Sequence, residues 1–353
     1  MNLKTLTIVV LGLAAVAGAG LLGQRLLGPS SAAGRVGKPL LDGVDLAVAA
    51  RIELVGPASH TTLVSRPDGW FVQEQGAFPA NQDKLNSFLF KLAEQKIADQ
   101  VTENPDNFAD LGVRTVEENG NKAEERKTGT LFSILDGSGK PVFQILIGRD
   151  RQPGMTVSSY GGQYVRFPGE NAALLIGTTL VADTEPKEWI EKQILPREAE
   201  PQFKLIRVAR TGAKPLAFSR DKRESPWLLD GASPTGLNTK EVDNLSKKLR
   251  DLEATQIAPA GKSRKELGRD KLSAVDVQLF DGRAFRLEVG EAKGPDNFRY
   301  VTVQETLDSS KTDATLKKEV EAFNRKFKDR VLAIPDWDAG RLLRERKDYV
   351  QAS

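Results

Sequence analysis

The sequence predicts an α+β fold made of two tandem, similar domains of antiparallel strands with one main helix each, preceded by a single N-terminal transmembrane helix. Three observations predict it. First, Trp70 to Leu92 and Trp227 to Leu249 repeat one another: Trp70 answers Trp227, Asn81 answers Asn238, and Leu85, Phe88 and Leu92 answer Val242, Leu245 and Leu249. Second, short runs of strand character separated by Gly, Pro and Asp turns surround both copies. Third, the chain carries an uncharged apolar run near its start.

That run extends from Leu6 to Gly23, between Lys4 and Arg25. At ~1.5 Å per residue it is just long enough to cross a ~30 Å hydrocarbon core. A cleaved signal peptide is the competing reading, with Ser30 to Ala33 as the processing site, but the run exceeds the ~7 to 15 apolar residues usual for such signals. Its small residues, from Gly12 to Gly20, would let another helix approach closely. Lys4 on one side against Arg25, Arg35 and Lys38 on the other leans against export of the body. A long globular segment translocates largely regardless of charge, however, so the body is expected outside the cytoplasm, on the periplasmic face of a cell inner membrane crossed once. The organisation read from the sequence is a short cytoplasmic end (1–5), the anchor (6–24), a tether (25–40), two repeat domains (41–200 and 201–340) and a basic tail (341–353).

In the first domain, Arg51 to Val55, Thr61 to Arg66 and Trp70 to Glu74 read as a meander turning on Pro67-Asp68-Gly69. Asn81 caps a helix whose apolar residues have helical spacing. Asn104-Pro105 starts a short helical turn ending at Leu111-Gly112, and a polar, acidic insert follows from Glu117 to Thr128. Leu131 to Leu135 and Val142 to Ile147 form a hairpin over Asp136 to Gly139, and Thr156 to Tyr160 with Gln163 to Phe167 form another over Gly161-Gly162. A helical segment around Pro186 to Ile194 closes the domain. The second domain repeats the itinerary. Leu111-Gly112 returns as Leu267-Gly268, Asp136-Gly137 as Asp281-Gly282, and Tyr164-Val165 as Tyr300-Val301, while Trp189, Lys192 and Ile194 are echoed by Phe327, Arg330 and Leu332. Two long copies are too few for a solenoid.

Composition restricts the chemistry. The 353 residues carry 51 Lys and Arg against 48 Asp and Glu, a net charge of +3, so no single-sign field points to nucleic acid. With no Cys and a single His, disulfides, thiolate chemistry and multi-histidine metal sites are excluded, and no cofactor is predicted. His60 falls at a bend between strands, and no Gly-x-Ser-x-Gly elbow accompanies it. Gly261-Lys262-Ser263 resembles the tail of a phosphate loop, but Gln256 stands where the first glycine belongs. Asp136 to Lys140 reads as a hairpin turn, because Lys140 and Pro141 occupy positions a calcium loop reserves for a ligand and a glycine. The carboxylate pairs Glu117-Glu118, Glu124-Glu125 and Asp336/Asp338 are adjacent in sequence, which does not set two carboxyls at fixed separation in a cleft. Trp70 and Trp227, equivalently placed, read as core anchors. Arg341, Arg344, Arg346 and Lys347 read as a solvated basic face, with acidic lipid or a partner as the alternative. No catalytic, cofactor-binding or metal site is therefore predicted.

The ordered set of Trp-ended strand, Asn-capped helix, Leu-Gly corner, Asp-Gly hairpin, strand ending at Gly148 or Gly290 and Tyr-Val strand resembles the family called domain of unknown function 4340, across roughly Leu41 to Asp338. The resemblance implies a bacterial, membrane-anchored protein with an extracytoplasmic body, often beside auxiliary ABC-type transport systems related to gliding motility. It does not account for the acidic insert. The expected function is a non-catalytic accessory or scaffold protein, not an enzyme, whose partners are the membrane and an integral-membrane permease or other envelope proteins, with no small-molecule substrate. A module binding glycan or peptide between the domains is the runner-up, and an envelope hydrolase the third reading.

Overall fold

The computed structural model describes residues 32–122, 124, 126–151, 161–231 and 236–350. The chain divides into two compact units, Met1–Glu191 and Lys192–Ser353.

In the first unit, β1 (Arg51–Val55), β2 (His60–Arg66), β3 (Gly69–Val72) and β4 (Phe78–Pro79) form an antiparallel meander. Helix α1 (Gln82–Glu94) follows, opened by Asn81, whose side chain accepts from the Lys84 amide at 2.9 Å. Its buried residues are Leu85, Phe88 and Leu92, the spacing that puts one stripe against the sheet. The Phe88 ring meets Phe132 at 5.1 Å and Trp189 edge-on at 5.8 Å. The helix carries the chain to β5 (Ile97–Thr102) at the opposite edge. Short α2 (Phe108–Leu111) then turns it back to β6 (Thr130–Leu135), β7 (Pro141–Arg151), β8 (Gly162–Arg166) and β9 (Ala173–Ile176). The resulting nine-stranded order is β4-β3-β2-β1-β6-β7-β8-β9-β5.

The second unit comprises β10 (Phe203–Ala209), β11 (Leu216–Ser219), β12 (Leu228–Leu229), α3 (Thr239–Arg250), β13 (Gln256–Ile257), β14 (Leu272–Leu279), β15 (Arg283–Gly290), β16 (Phe298–Leu307), α4 (Ala314–Phe327), β17 (Leu332–Pro335) and α5 (Asp336–Leu342). Its eight strands run β12-β11-β10-β14-β15-β16-β17-β13. Strand for strand this is the order of the first sheet without a counterpart of β4.

The expected fold class needs correction. Two antiparallel sheets dominate the described chain, and the second unit carries two main helices, α3 and α4, where one was expected. Residues Leu316, Val320, Phe323 and Phe327 give α4 its helical spacing, but Lys, Glu and Arg surround them and dilute the pattern. Among the described residues no helix is long and apolar enough to cross a membrane. The expected transmembrane segment, residues 6–24, and the expected strand 156–160 lie outside the described residues.

The repeated glycines hold a close approach. Gly112 (φ 67°) and Gly268 (φ 66°) are both left-handed. A Cβ on Gly148 would lie 2.6 Å from the Leu111 carbonyl oxygen, and one on Gly290 2.7 Å from that of Gly268. Each unit also locks this corner with a buried arginine, placed from opposite ends. In the first, Arg166 on β8 donates to the Val113 carbonyl at 2.9 Å and pairs with Glu118. In the second, Arg269, at the position of Val113, donates to the Thr302 hydroxyl at 2.7 Å, and Thr302 stands at the position of Arg166. The acidic insert thus has one structural task, supplying the counter-ion of Arg166.

The two helix starts differ. The Asn238 side chain makes no cap hydrogen bond. Asn81→Ala is expected to lower stability by about 1 kcal/mol and Asn238→Ala by only a few tenths; urea unfolding of the two variants side by side measures the difference.

Candidate functional site

The two units finish alike, and that ending builds the site. In the first, a turn at Pro186–Glu188 leads to Trp189, whose carbonyl accepts from the Asn81 amide at 2.7 Å, and Ile190 bridges Ala80. In the second, a turn at Arg346–Asp348 leads to Tyr349, whose carbonyl accepts from the Asn238 amide at 2.8 Å, and Val350 bridges Leu237. Tyr349, not Phe327, is therefore the counterpart of Trp189. The segment read as a basic tail folds back onto its own unit: Leu342 and Tyr349 are buried, and the Tyr349 ring packs on Phe218 at 4.7 Å.

The ion pair beside each closing aromatic residue is reversed. In the first unit Lys84 of α1 lies over the Trp189 ring at 4.8 Å and reaches Asp183 at 2.5 Å. In the second, Glu241 holds the equivalent position on α3 and pairs with Arg344 of the closing segment.

Around that pair the second unit opens a cleft of about 460 Å³, lined by residues that include Asn244, Lys247, Lys248, Arg341, Arg344 and Tyr349. Lys248 is committed to Asp338 at 2.5 Å, and Asp251 to Arg250 at 2.7 Å. Lys247 and Arg341 have no ion pair or side-chain hydrogen bond among the described residues. The Tyr349 hydroxyl is buried without a hydrogen-bond partner, and burial pushes it up to about 12. On the other side of the closing segment, Arg210, Lys214, Arg346 and Lys347 border a second cavity of about 260 Å³. One turn before Arg341, Trp337 stands 67% exposed, while the other three tryptophans are buried. The arrangement can bind anionic groups; it presents donors and positive charge, with the exposed Trp337 one turn from Arg341 on the same helix.

The other sequence candidates are dispersed. His60, at the start of β2, is exposed and faces Glu74 at 3.6 Å. Glu118 serves Arg166, and hydrogen bonds from its own backbone and from Thr115 lower the Glu117 carboxyl. Glu124 pairs with Lys127 at 2.8 Å, which lowers its carboxyl, and Glu125 lies outside the described residues. Asp336 is held low by Arg299 and Lys293, while Asp338 faces Lys248, so that pair points at different partners. Lys262 is bound to Glu266, whose carboxyl falls to about 2 through the Ser263 amide, Lys262 and the Ser263 hydroxyl; this is a cap, not a phosphate loop. The Asp136 carboxylate accepts from the Ser138 and Lys140 amides at 2.8 and 3.0 Å and forms a turn. Trp70 and Trp227 are core residues, the latter under Arg220 at 4.6 Å. Among the described residues no group of three or more His, Asp or Glu could hold a metal ion. Lys247 and Trp337 were not singled out from the sequence; the signal for Lys247 is its register with Phe90, an exposed apolar residue in the other copy.

A family model described as Domain of unknown function (DUF4340) matches residues 70–272. No curated protein and no solved structure matches the chain.

Proposed function

This chain belongs to the DUF4340 family, and we propose that it acts as a non-catalytic, membrane-associated accessory or scaffold protein with an extracytoplasmic body, working with an ABC-type transport complex or another envelope complex. The observation that supports the reading best is where the two copies differ. The second unit adds α4 and α5 to the shared sheet, and these additions enlarge the charged outer surface: the cleft beside α5 collects unpaired cations, and Trp337 faces outward. Exposed Trp and Arg side by side are the side chains that dominate protein interfaces. The uncharged apolar run at residues 6–23 supports membrane association.

The test is purification of the full chain from native membranes in mild detergent. An integral-membrane permease and an ATPase are expected to accompany it. Recovery of the chain alone, as a monomer, would refute the proposal.

A further inference from the structure

We propose that the α3–α5 cleft of the second unit, with Trp337 at its edge, is the docking surface for an acidic segment of a protein partner. This rests on the accessory reading above and specifies which surface acts and what it meets.

The buried residues of α5 are Asp338, Ala339 and Leu342, which turns Trp337, Gly340 and Arg341 outward on one face. A Cβ on Gly340 would meet nothing within 4 Å, so that face is open. An indole left in water forgoes burial that the other three tryptophans of this chain obtain. Arg341 continues the face into the cleft, where Lys247 projects from α3. Both cations lack ion partners among the described residues, although neighbouring Lys248, Arg250 and Arg344 each have one. Lys247 and Arg341 thus leave unbalanced positive charge in the cleft.

Charge complementarity selects an anionic occupant, and shape selects a polypeptide. The cations alternate with Glu241 and Asp251 around a concavity of about 460 Å³. A bilayer presents a diffuse anionic plane that cannot enter such a recess. A chain bearing spaced Asp or Glu can place carboxylates on Lys247 and Arg341 and an apolar side chain on Trp337. Among its described residues the first unit lacks the elements of this surface: its interval 177–185 forms no helix and Phe90 replaces Lys247.

Photo-cross-linking residues placed at 247 and 337 of the full chain in native membranes, with a control at exposed Val181, test this. Cross-links from 247 and 337, sequenced by mass spectrometry, are expected in an Asp- or Glu-rich segment of a co-purifying protein, with none from 181. Gly340→Glu, Trp337→Ala and Lys247→Glu/Arg341→Glu should each weaken co-purification at least about tenfold, with an unchanged unfolding midpoint because none removes a buried contact. Cross-links to lipid, or to a neutral or basic segment, would overturn the proposal, as would full co-purification by Gly340→Glu. In the latter case the accessory reading would survive and the surface alone would fail; if the unsubstituted chain carries no partner, both fail.

Discussion

Glu305→Gln is expected to stabilise the second unit by about 2–3 kcal/mol above pH 7 and to change it little near pH 4.5. Glu305 lies on β16 beneath α4, 2% exposed, with one carboxylate oxygen lacking a hydrogen-bond partner. Its backbone is clamped to the helix by Asn324, which accepts from the Glu305 amide at 2.9 Å and donates to its carbonyl at 2.8 Å. Arg283 on β15 is the facing cation, at 3.8 Å, but it is shared with Asp281 and with Glu319 of α4. Burial therefore wins over that attraction, Asp281 and Glu319 add repulsion, and the carboxyl is pushed from 4.5 up to about 7. A folded value above the unfolded one means that the native state binds more protons between pH 4.5 and 7. Stability consequently falls as pH rises through that window and levels off above 7. Each pH unit of displacement corresponds to ~1.4 kcal/mol, and Gln, uncharged and of the same shape, escapes the loss. Urea unfolding at pH 5 and pH 8 measures it; an equal effect of the substitution at both would show that ionisation of Glu305 is not resisted by the fold.

Much of the fold was legible where residues act as punctuation. The paired Leu-Gly corners serve backbone geometry, and that geometry was kept in both copies, whereas Trp70 and Trp227, read as strand ends, stand near the start of β3 and just before β12, and only Asn81 of the two Asn starts caps its helix with its side chain. Strand β9 was not legible, because Ala173 to Ile176 is buried throughout and shows no alternation. The insertion of α4 and α5 displaced the second ending, so that Phe327 was matched to Trp189 and the true counterpart, Tyr349, lay in what read as a tail. The exchanged arginines, Arg166 and Arg269, were hidden among 51 cations because their burial depends on contacts remote in sequence. The cleft was hidden for the same cause. Arg341 and Arg344 were visible as charges, but which cations stay unpaired is decided by pairings between α3 and the elements that close the unit, Lys248 with Asp338 and Glu241 with Arg344. The exposure of Trp337 ran against the ordinary expectation that tryptophan goes inside.

Substitution of Tyr349 distinguishes an integral closing segment from a solvated tail. Tyr349→Ala is expected to lower stability by about 3–4 kcal/mol, the usual consequence of removing a large buried ring and leaving a cavity. The ring packs on Phe218 of β11, and its backbone carbonyl satisfies the Asn238 amide at the start of α3, so its loss loosens the sheet edge and the helix together. Tyr349→Phe separates the ring from its hydroxyl. Phenylalanine keeps the contact with Phe218 and removes a buried oxygen that has no hydrogen-bond partner, so stability is expected to hold or to rise by about 1 kcal/mol. Both values are read by urea unfolding at neutral pH, well below the point at which the hydroxyl would ionise. A solvated segment would leave both variants within about 0.5 kcal/mol of the parent. An equal, large loss in Tyr349→Phe would instead mean that the hydroxyl makes a bond the geometry does not show. Because Arg344 reaches the cleft from the same segment, Tyr349→Ala should also abolish partner capture, whereas Tyr349→Phe should retain it.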